Sequence, residues 1–373
     1  MVRHGHSAEL SRSPHHLVRL FAHYSFDGEL RTVEPPEQRR RTVLKVFTFV
    51  FFLIIFSGCE PRAAEKDLLV EGKELLTVDF QQGQALRYRF ISSRDINIDW
   101  EPTKKTTKKT SKSDKDTTGN SSESMEMIVA YTPIEVDPYG LTTIKAACES
   151  VKVSRSKSSQ KDAVESLPGK TFTLAVGPTG RIEDYSQLEE LTGEIGKKAF
   201  RPDTNNRRIK EPDMICDFIA TQWFLWDSVS SIDKPSEGVS VGRTWKSKLS
   251  VPVPMVMRKA RDVTYTLDEI RQTDKGRLAV IRSTYEKTES IPDRWTPWPY
   301  TGRFQMSGTF GFLRGYKILD LQGQGEELFN IDAGRIEQYN QQYQVQLEAS
   351  MLMGIKVNPR ITIKQNLTMQ LLE

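Results

Sequence analysis

The chain has 373 residues and a formal net charge of +4, but its charges and histidines are unevenly spread. Residues 1–58 hold 8 of the 53 basic and 5 of the 49 acidic residues, which leaves 45 and 44 for residues 59–373. This balance gives no reason to expect a nucleic-acid partner. All five histidines lie in residues 1–58, so the rest of the chain cannot form histidine-dependent nucleophile systems, histidine-liganded zinc or a histidine general base.

The first 38 residues are polar, mixed in charge and without hydrophobic periodicity. Their histidine-rich composition is compatible with metal binding. The alternative is that translation starts at Val43, which would make residues 1–42 a spurious or unstructured extension.

A short apolar segment, residues 46–58, follows three consecutive arginines and Lys45. It is shorter than the roughly 20 residues that span a membrane, and it fits the hydrophobic region of an export signal, about 7–15 residues long. A short buried helix and a single-span anchor are the alternatives.

The segment ends in Phe56-Ser57-Gly58-Cys59, which resembles the lipobox of bacterial lipoproteins, with phenylalanine where leucine is usual. The resemblance implies that residues 43–58 are a signal peptide and that Cys59 becomes the acylated, palmitate-bearing first residue of an envelope protein facing the periplasm. Glu60, rather than aspartate, favours the outer over the inner membrane. Residues 40–45 also resemble a twin-arginine motif, so Sec and twin-arginine export both stay open.

Most of the remaining sequence alternates between apolar and polar residues with a period of two. Such alternation predicts half-buried antiparallel strands. Many short strands separated by turn residues favour a sandwich or a half-barrel. We therefore expect a mainly β fold with a minor helical part. The clearest alternating runs are residues 86–90, 125–131, 245–257 and 304–312.

An internal repeat lies within this β pattern. The sequence Gly-Arg-Ile-Glu-x-Tyr begins at Gly180 and again at Gly334, each time after a strand pattern. Looser matches join Gly83 with Gly242 and Gly140 with Gly276. The repeat predicts two related β units, with glycines of positive φ at the turns. Chance similarity between hairpins is the alternative.

Helical spacing separates the two units, over residues 186–200 and 212–229. Ser186 and Glu189 have the spacing of a capping box. The predicted organisation is a tether at 59–74, a first β unit at 75–186 with a disordered lysine- and threonine-rich loop at 102–124, a helical connection at 187–237 and a second β unit at 238–373.

Three short segments, Gly83-Gln84, Gly242-Arg243-Thr244-Trp245 and the approach at 234–241, resemble parts of exported β-rich bacterial lipoproteins of unknown function. The resemblance implies a fold and a location, and it supplies no catalytic residues.

Two classes of function follow. The first is a non-catalytic binding or structural scaffold in the envelope, whose partner is a lipid, a wall component or another protein. The second is a carboxylate-dependent, glycosidase-like hydrolase, for which Glu326, Glu327 and Asp332 are candidate acids. No cofactor and no metal site is expected, and Gly323-Gln324-Gly325 lacks the lysine and helix start of a phosphate loop.

Two local sites remain as hypotheses. Cys148 and Cys216 either form a disulfide in the oxidising exported compartment or stay two separate buried thiols. The proline-stiffened loop at 291–300 presents aromatic faces for a sugar, peptide or protein, unless its tryptophans fold back as a plug over the sheet. The residues expected to contact that ligand are Arg294, Trp295, Trp298 and Tyr300.

Overall fold

The chain forms mostly strands, so the expectation of a mainly β fold is confirmed. The alternating runs at 86–90 and 125–131 lie within strands. The run at 245–257 is a strand only as far as Ser250, and the described part of the run at 304–312 has a two-residue strand followed by a 3-10 turn. The strands, in chain order, are β1 (Lys73–Glu74), β2 (Leu86–Asp99), β3 (Thr118–Val136), β4 (Thr142–Arg155), β5 (Thr171–Val176), β6 (Ile182–Asp184), β7 (Arg208–Ile209), β8 (Val239–Ser240), β9 (Thr244–Ser250), β10 (Ala260–Thr273), β11 (Gly276–Lys287), β12 (Gln305–Met306), β13 (Leu313–Asn330), β14 (Arg335–Met351) and β15 (Arg360–Leu372).

Helices lie between the two halves of the strand series, as expected. They are α1 (Ser186–Lys198), α2 (Ile215–Phe224) and α3 (Asp227–Ser230), with single 3-10 turns at Ala163–Ser166, Pro235–Glu237 and Thr309–Phe312.

This computed structural model describes residues 72–100, 118–156, 161–199, 208–209, 214–255, 257–292, 295–300, 305–306, 309–351 and 358–372. They belong to one compact unit, Lys66–Glu373. The signal segment, Cys59, Arg294 and most of the expected loop at 102–124 lie outside the described residues, so those expectations stay predictions.

Eleven strands form one antiparallel sheet in the order β6-β5-β4-β3-β2-β15-β14-β13-β11-β10-β9. Strands β2 to β6 form one meander of five neighbours, and β9, β10, β11, β13 and β14 form a second. The two meanders run in the same direction across the sheet. Strand β15 lies between them and joins β14 to β2. The two related antiparallel units predicted from the repeat are therefore present as two equivalent meanders within one sheet.

The repeated glycines occupy equivalent turns of the two meanders. Gly140 and Gly276 lie between the second and third strands, with φ of 84° and 109°. Gly180 and Gly334 lie between the fourth and fifth, with φ of 84° and 57°. These values are in the region that glycine adopts readily and other residues rarely do. The sequence repeat thus marks turn geometry that both halves require.

The sheet curls around the helical segment 214–232. Strands β5 and β9 are nine positions apart in the sheet, which corresponds to about 43 Å at the usual strand spacing. Both reach this segment: Phe172 of β5 packs against Phe218 with 6.1 Å between ring centroids, and the indole of Trp245 in β9 donates to the Ser228 carbonyl at 2.7 Å. At 1.5 Å per residue, Phe218 and Ser228 lie at most about 15 Å apart along the segment, so the sheet must curve into a half-barrel.

A segment before β2 links the two meanders at one end. Strand β1 pairs with β8, and the amide of Val78 donates to the Pro178 carbonyl at 3.1 Å. The next amide, of Asp79, donates to the Gly334 carbonyl at 2.9 Å. The amides of Val78 and Asp79 therefore each donate to a carbonyl in the turn between the fourth and fifth strands of one meander.

Three further details differ from the sequence-based expectation. Residues 118–124, expected in the loop, continue β3 and pair with β2, whose buried Ile96 and Ile98 supply the apolar side chains at this level of the sheet. The helix expected over 212–229 is divided into α2 and α3 around Leu225 and Trp226. Ser186 forms no capping box, because the helix begins at Ser186 and its N-cap is Tyr185; the Ser186 amide donates to the Asp184 carboxylate at 2.9 Å.

A buried ion pair ties helix α2 to the sheet. Asp217 accepts from the Arg94 guanidinium of β2 at 2.8 Å, from the Ser92 hydroxyl at 2.7 Å and from the Gln365 amide of β15 at 3.0 Å. Both charged side chains are fully buried. Arg94 also donates to Glu123 at 2.7 Å, so its charge is shared between two carboxylates.

Replacing Asp217 by alanine should lower the free energy of unfolding by about 3–5 kcal/mol, because it removes one of the two carboxylates from a buried guanidinium. The exposed Asp233→Ala is the control and should change stability by less than about 0.5 kcal/mol. Urea denaturation of both variants measures the difference. Equal midpoints would show that the ion pair does not hold the helix in the sheet.

Candidate functional site

The concave side of the half-barrel is occupied by the protein's own side chains. A second buried cation, Arg261 of β10, lies against three aromatic rings, with its guanidinium carbon 4.1 Å from the Tyr285 centroid, 4.5 Å from Tyr343 and 5.0 Å from Phe224. Its Nη2 donates to Gln341 at 2.8 Å. Its interaction with the rings compensates part of the cost of burying a charge.

Two glycines of β13 make room for these rings. A Cβ on Gly325 would overlap the hydroxyl of Tyr285, and a Cβ on Gly323 would overlap the side chain of Tyr343. The Gly-x-Gly sequence therefore serves packing against the Arg261 guanidinium, and no phosphate is needed to explain it.

Two carboxylates lie together where α3 meets the sheet. Glu327 of β13 accepts from the Ser228 hydroxyl, and Asp227 accepts from Tyr265 at 2.7 Å and Ser247 at 2.9 Å. Burial raises the pKa of Glu327 to about 8, and the neighbouring charge of Asp227 adds to the shift. Burial likewise raises the pKa of Asp227 to about 6.

The three acids considered for a hydrolase lie in different surroundings. Glu327 faces the interior, whereas its neighbour Glu326 is exposed on the outer face near Arg282. Asp332 lies in the turn after β13 and accepts from Arg277 at 2.7 Å. The carboxylate whose charge acts on Glu327 is Asp227, which sequence reasoning missed because it is a hundred residues away in the chain. The hydrolase alternative stays a prediction.

The aromatic loop at 295–300 packs on the helices and on the segment after β9. Trp295 and Trp298 are both half-buried and Tyr300 is buried. The Arg258 guanidinium carbon lies 5.7 Å and 5.1 Å from the two indole rings. The space between these side chains, Cys216 and Val251 is about 20 Å³, which holds roughly one water molecule. Ligand binding by this loop stays a prediction.

Cys148 and Cys216 are both thiols in the structure. Cys148 is buried on the inner face of β4, where burial raises its pKa to about 12. Cys216 is half-buried on α2, beside the aromatic loop. Among the described residues, no group of three or more acidic, cysteine or histidine side chains is placed to hold a metal ion.

Three further cavities among the described residues lie on the outer face of the sheet. One groove crosses β15, β2, β3 and β4 and comprises adjoining cavities of about 250 and 470 Å³. A second groove, of about 460 Å³, crosses β11, β13 and β14. Gln342 of the second groove and Asn366 of the first are directly opposed across β14 and β15, so the grooves adjoin.

One uncharged side chain from each of seven adjacent strands lines these grooves, and each is directly opposite the next in the sheet register. We call them the polar row. They are Thr284, Gln324, Gln342, Asn366, Ser93, Ser124 and Ser154. All seven lie on the outer face and are exposed or half-buried. Sequence reasoning missed this row because it depends on which strands pair, and β15 pairs with a strand more than 250 residues earlier.

No family model and no curated protein matches the chain. A solved structure entitled "Lipid-protein interactions in lipovitellin" is similar with a TM-score of 0.35 and 9% identity, over 79% of this chain and 26% of that one. The chain thus spans about a quarter of the length of that protein. No helix of the described residues has both the length and the apolarity needed to cross a membrane.

Raising the pH from 6 to 8 should lower the free energy of unfolding by about 2–3 kcal/mol. The pKa of Glu327 is raised in the folded state, so its contribution is complete below about pH 4.5 and is lost as the pH rises through about 8. Histidine titration does not obscure this window in residues 59–373, which contain none.

Urea denaturation from pH 6 to 8 measures this slope. Glu327→Gln should flatten it, because the amide oxygen still accepts from Ser228 without titrating. The exposed neighbour provides a matched control, and Glu326→Gln should keep the slope. A Glu327→Gln variant with the original slope would assign the titration to another group.

The docking of the aromatic loop on α1 can be tested with two glycines of that helix. A Cβ on Gly196 would overlap the Pro299 carbonyl, whereas a Cβ on Gly193 meets no atom within 4 Å. Gly193→Ala should therefore stabilise the protein by about 0.5–1 kcal/mol. Gly196→Ala should destabilise it by about 1–3 kcal/mol and shift tryptophan fluorescence to the red. A stabilising Gly196→Ala would show that the loop does not rest on the helix.

Proposed function

We propose that the protein is an exported envelope lipoprotein, held in the membrane by acylated Cys59, whose β half-barrel is a non-catalytic binding scaffold facing the periplasm. The membrane partner is lipid, through the acyl chains of Cys59. Stable anchoring needs more than one acyl chain, and a triacylated cysteine supplies three.

The binding part of the proposal rests on the position of the cavities found among the described residues. The concave side is filled by the helical segment 214–232, whose side chains bond to strands on both halves of the sheet. The two grooves on the outer face are open and lined by hydrogen-bonding side chains. A scaffold of this kind binds a partner on its outer surface while its interior stays packed.

The acid pair Asp227 and Glu327 supports a structural role better than a catalytic one. Their described hydrogen bonds are to Ser228, Ser247 and Tyr265 of the same chain. Glu327 is only 5% exposed, so a substrate would have to displace the helical segment to reach it. The perturbed pKa values follow from that burial.

The anchor can be tested by expressing the full chain in a bacterium and determining the mass and membrane partition of the product. We expect the mature protein to begin at Cys59, to carry acyl chains and to enter the detergent phase. Cys59→Ala should remain unacylated and stay in the aqueous phase. Cys216→Ala is the matched cysteine control and should be acylated normally. A product that still carries residues 1–58 would contradict the proposal.

A further inference from the structure

We propose that the polar row binds a neutral, polyhydroxylated polymer, a glycan strand lying across the strands of the sheet. This inference rests on the proposed binding function and names its ligand class. It is carried by the continuity of the row, the charge balance of its borders and the absence of large apolar side chains along it.

The row is continuous over seven strands. Register pairs join Thr284 to Gln324, Gln324 to Gln342 and Gln342 to Asn366. From Asn366 it continues through three serines, at 93, 124 and 154. At about 4.8 Å per strand the row is about 29 Å long. Regularly spaced hydroxyl and amide groups match a polymer that presents hydrogen-bonding groups at regular intervals.

The charged side chains that border the row occur beside partners of opposite sign. Arg94 and Arg155, which also line the first groove, both form ion pairs with Glu123. In the first groove, Asp95 of β2 is directly opposite Lys364 of β15. In the second groove, Arg282 is directly opposite Glu326, with 4.0 Å between their charged atoms. A groove with paired charges offers little attraction to a polyanion such as nucleic acid or to an anionic lipid surface, both of which need clustered lysine or arginine.

Two other occupants fit the row poorly. A protein interface of ordinary size has an apolar or aromatic centre, and the row itself contains only threonine, serine, asparagine and glutamine. A peptide that adds a strand to a sheet uses the backbone groups of an edge, whereas the row crosses a face on which neighbouring strands already pair. A neutral polyol can use the side-chain hydroxyls and amides as both donors and acceptors.

Because each of these hydrogen bonds contributes little on its own, affinity should depend on ligand length. β-1,4-linked N-acetylglucosamine oligomers of two to eight units are the probe, with binding to the purified full chain measured by calorimetry. We expect affinity to rise with length until the oligomer spans the row of about 29 Å and then to level off. An affinity independent of length, or no binding of the longest oligomer, would overturn the proposal.

The residues are tested at the junction of the two grooves. Gln342→Ala with Asn366→Ala removes the central pair and should weaken binding of the longest oligomer about tenfold, the effect of losing roughly 1.4 kcal/mol. The control is Gln338→Ala with Gln370→Ala, an exposed pair directly opposed on the same two strands and outside both grooves. It should bind like the unchanged protein. Thermal melting checks that both variants remain folded.

Polyglutamate and vesicles of anionic phospholipid serve as competing probes. Row-dependent binding of either, with no glycan binding, would overturn the assignment to a neutral glycan. The acylation of Cys59 is measured separately, so loss of the glycan result leaves the proposed anchor intact. If Cys59 is not acylated but glycan binding still depends on length, the proposed envelope location is wrong and the proposed binding surface, the polar row, stands.

Discussion

Packing of one short helical segment against the inner face of the sheet is the constraint on which the rest of the structure depends. Phe218, which contacts β5, and Ser228, which contacts β9, are ten positions apart in the chain. An extended sheet of eleven strands could not bring those strands to one segment, so its curvature follows from these contacts. The curvature in turn closes the concave side and leaves the outer face as the open surface.

Polar groups fix how the segment sits within this curved sheet. Apolar packing alone allows a helix to shift along an apolar surface. Asp217 instead has fixed hydrogen-bond partners in Arg94, Ser92 and Gln365. Buried polar bonds are costly when broken, so they select one arrangement rather than adding much net stability. The ring of aromatic side chains around Arg261 acts at a second point in the same way, and both points lie on inner-face positions of the strands.

The local part of this architecture was accessible from sequence, and the non-local part was not. Period-two alternation predicted most of the long strands, and the paired glycines 180 and 334 marked equivalent turns. Residues 118–124 were misassigned because their own side chains are polar on both faces, whereas the buried side chains at this level of the sheet, Ile96 and Ile98, belong to the paired strand β2. The placement of β15 between β2 and β14, and with it the polar row, depends on pairing between distant segments that alternation does not encode.

The neutrality of the polar row is a separate constraint from its polarity. Side chains alternate between faces, so burying Tyr343 and Val345 forces Gln342 and Gln344 outward, and a polar residue there is required. The alternation of faces does not require that the outward residue be uncharged. The neighbouring rows on the outer face contain Arg282, Glu326 and Lys364. Charged side chains would serve solubility equally well. Seven uncharged hydrogen-bonding groups in register therefore call for an explanation beyond the fold, and contact with an uncharged polymer supplies one.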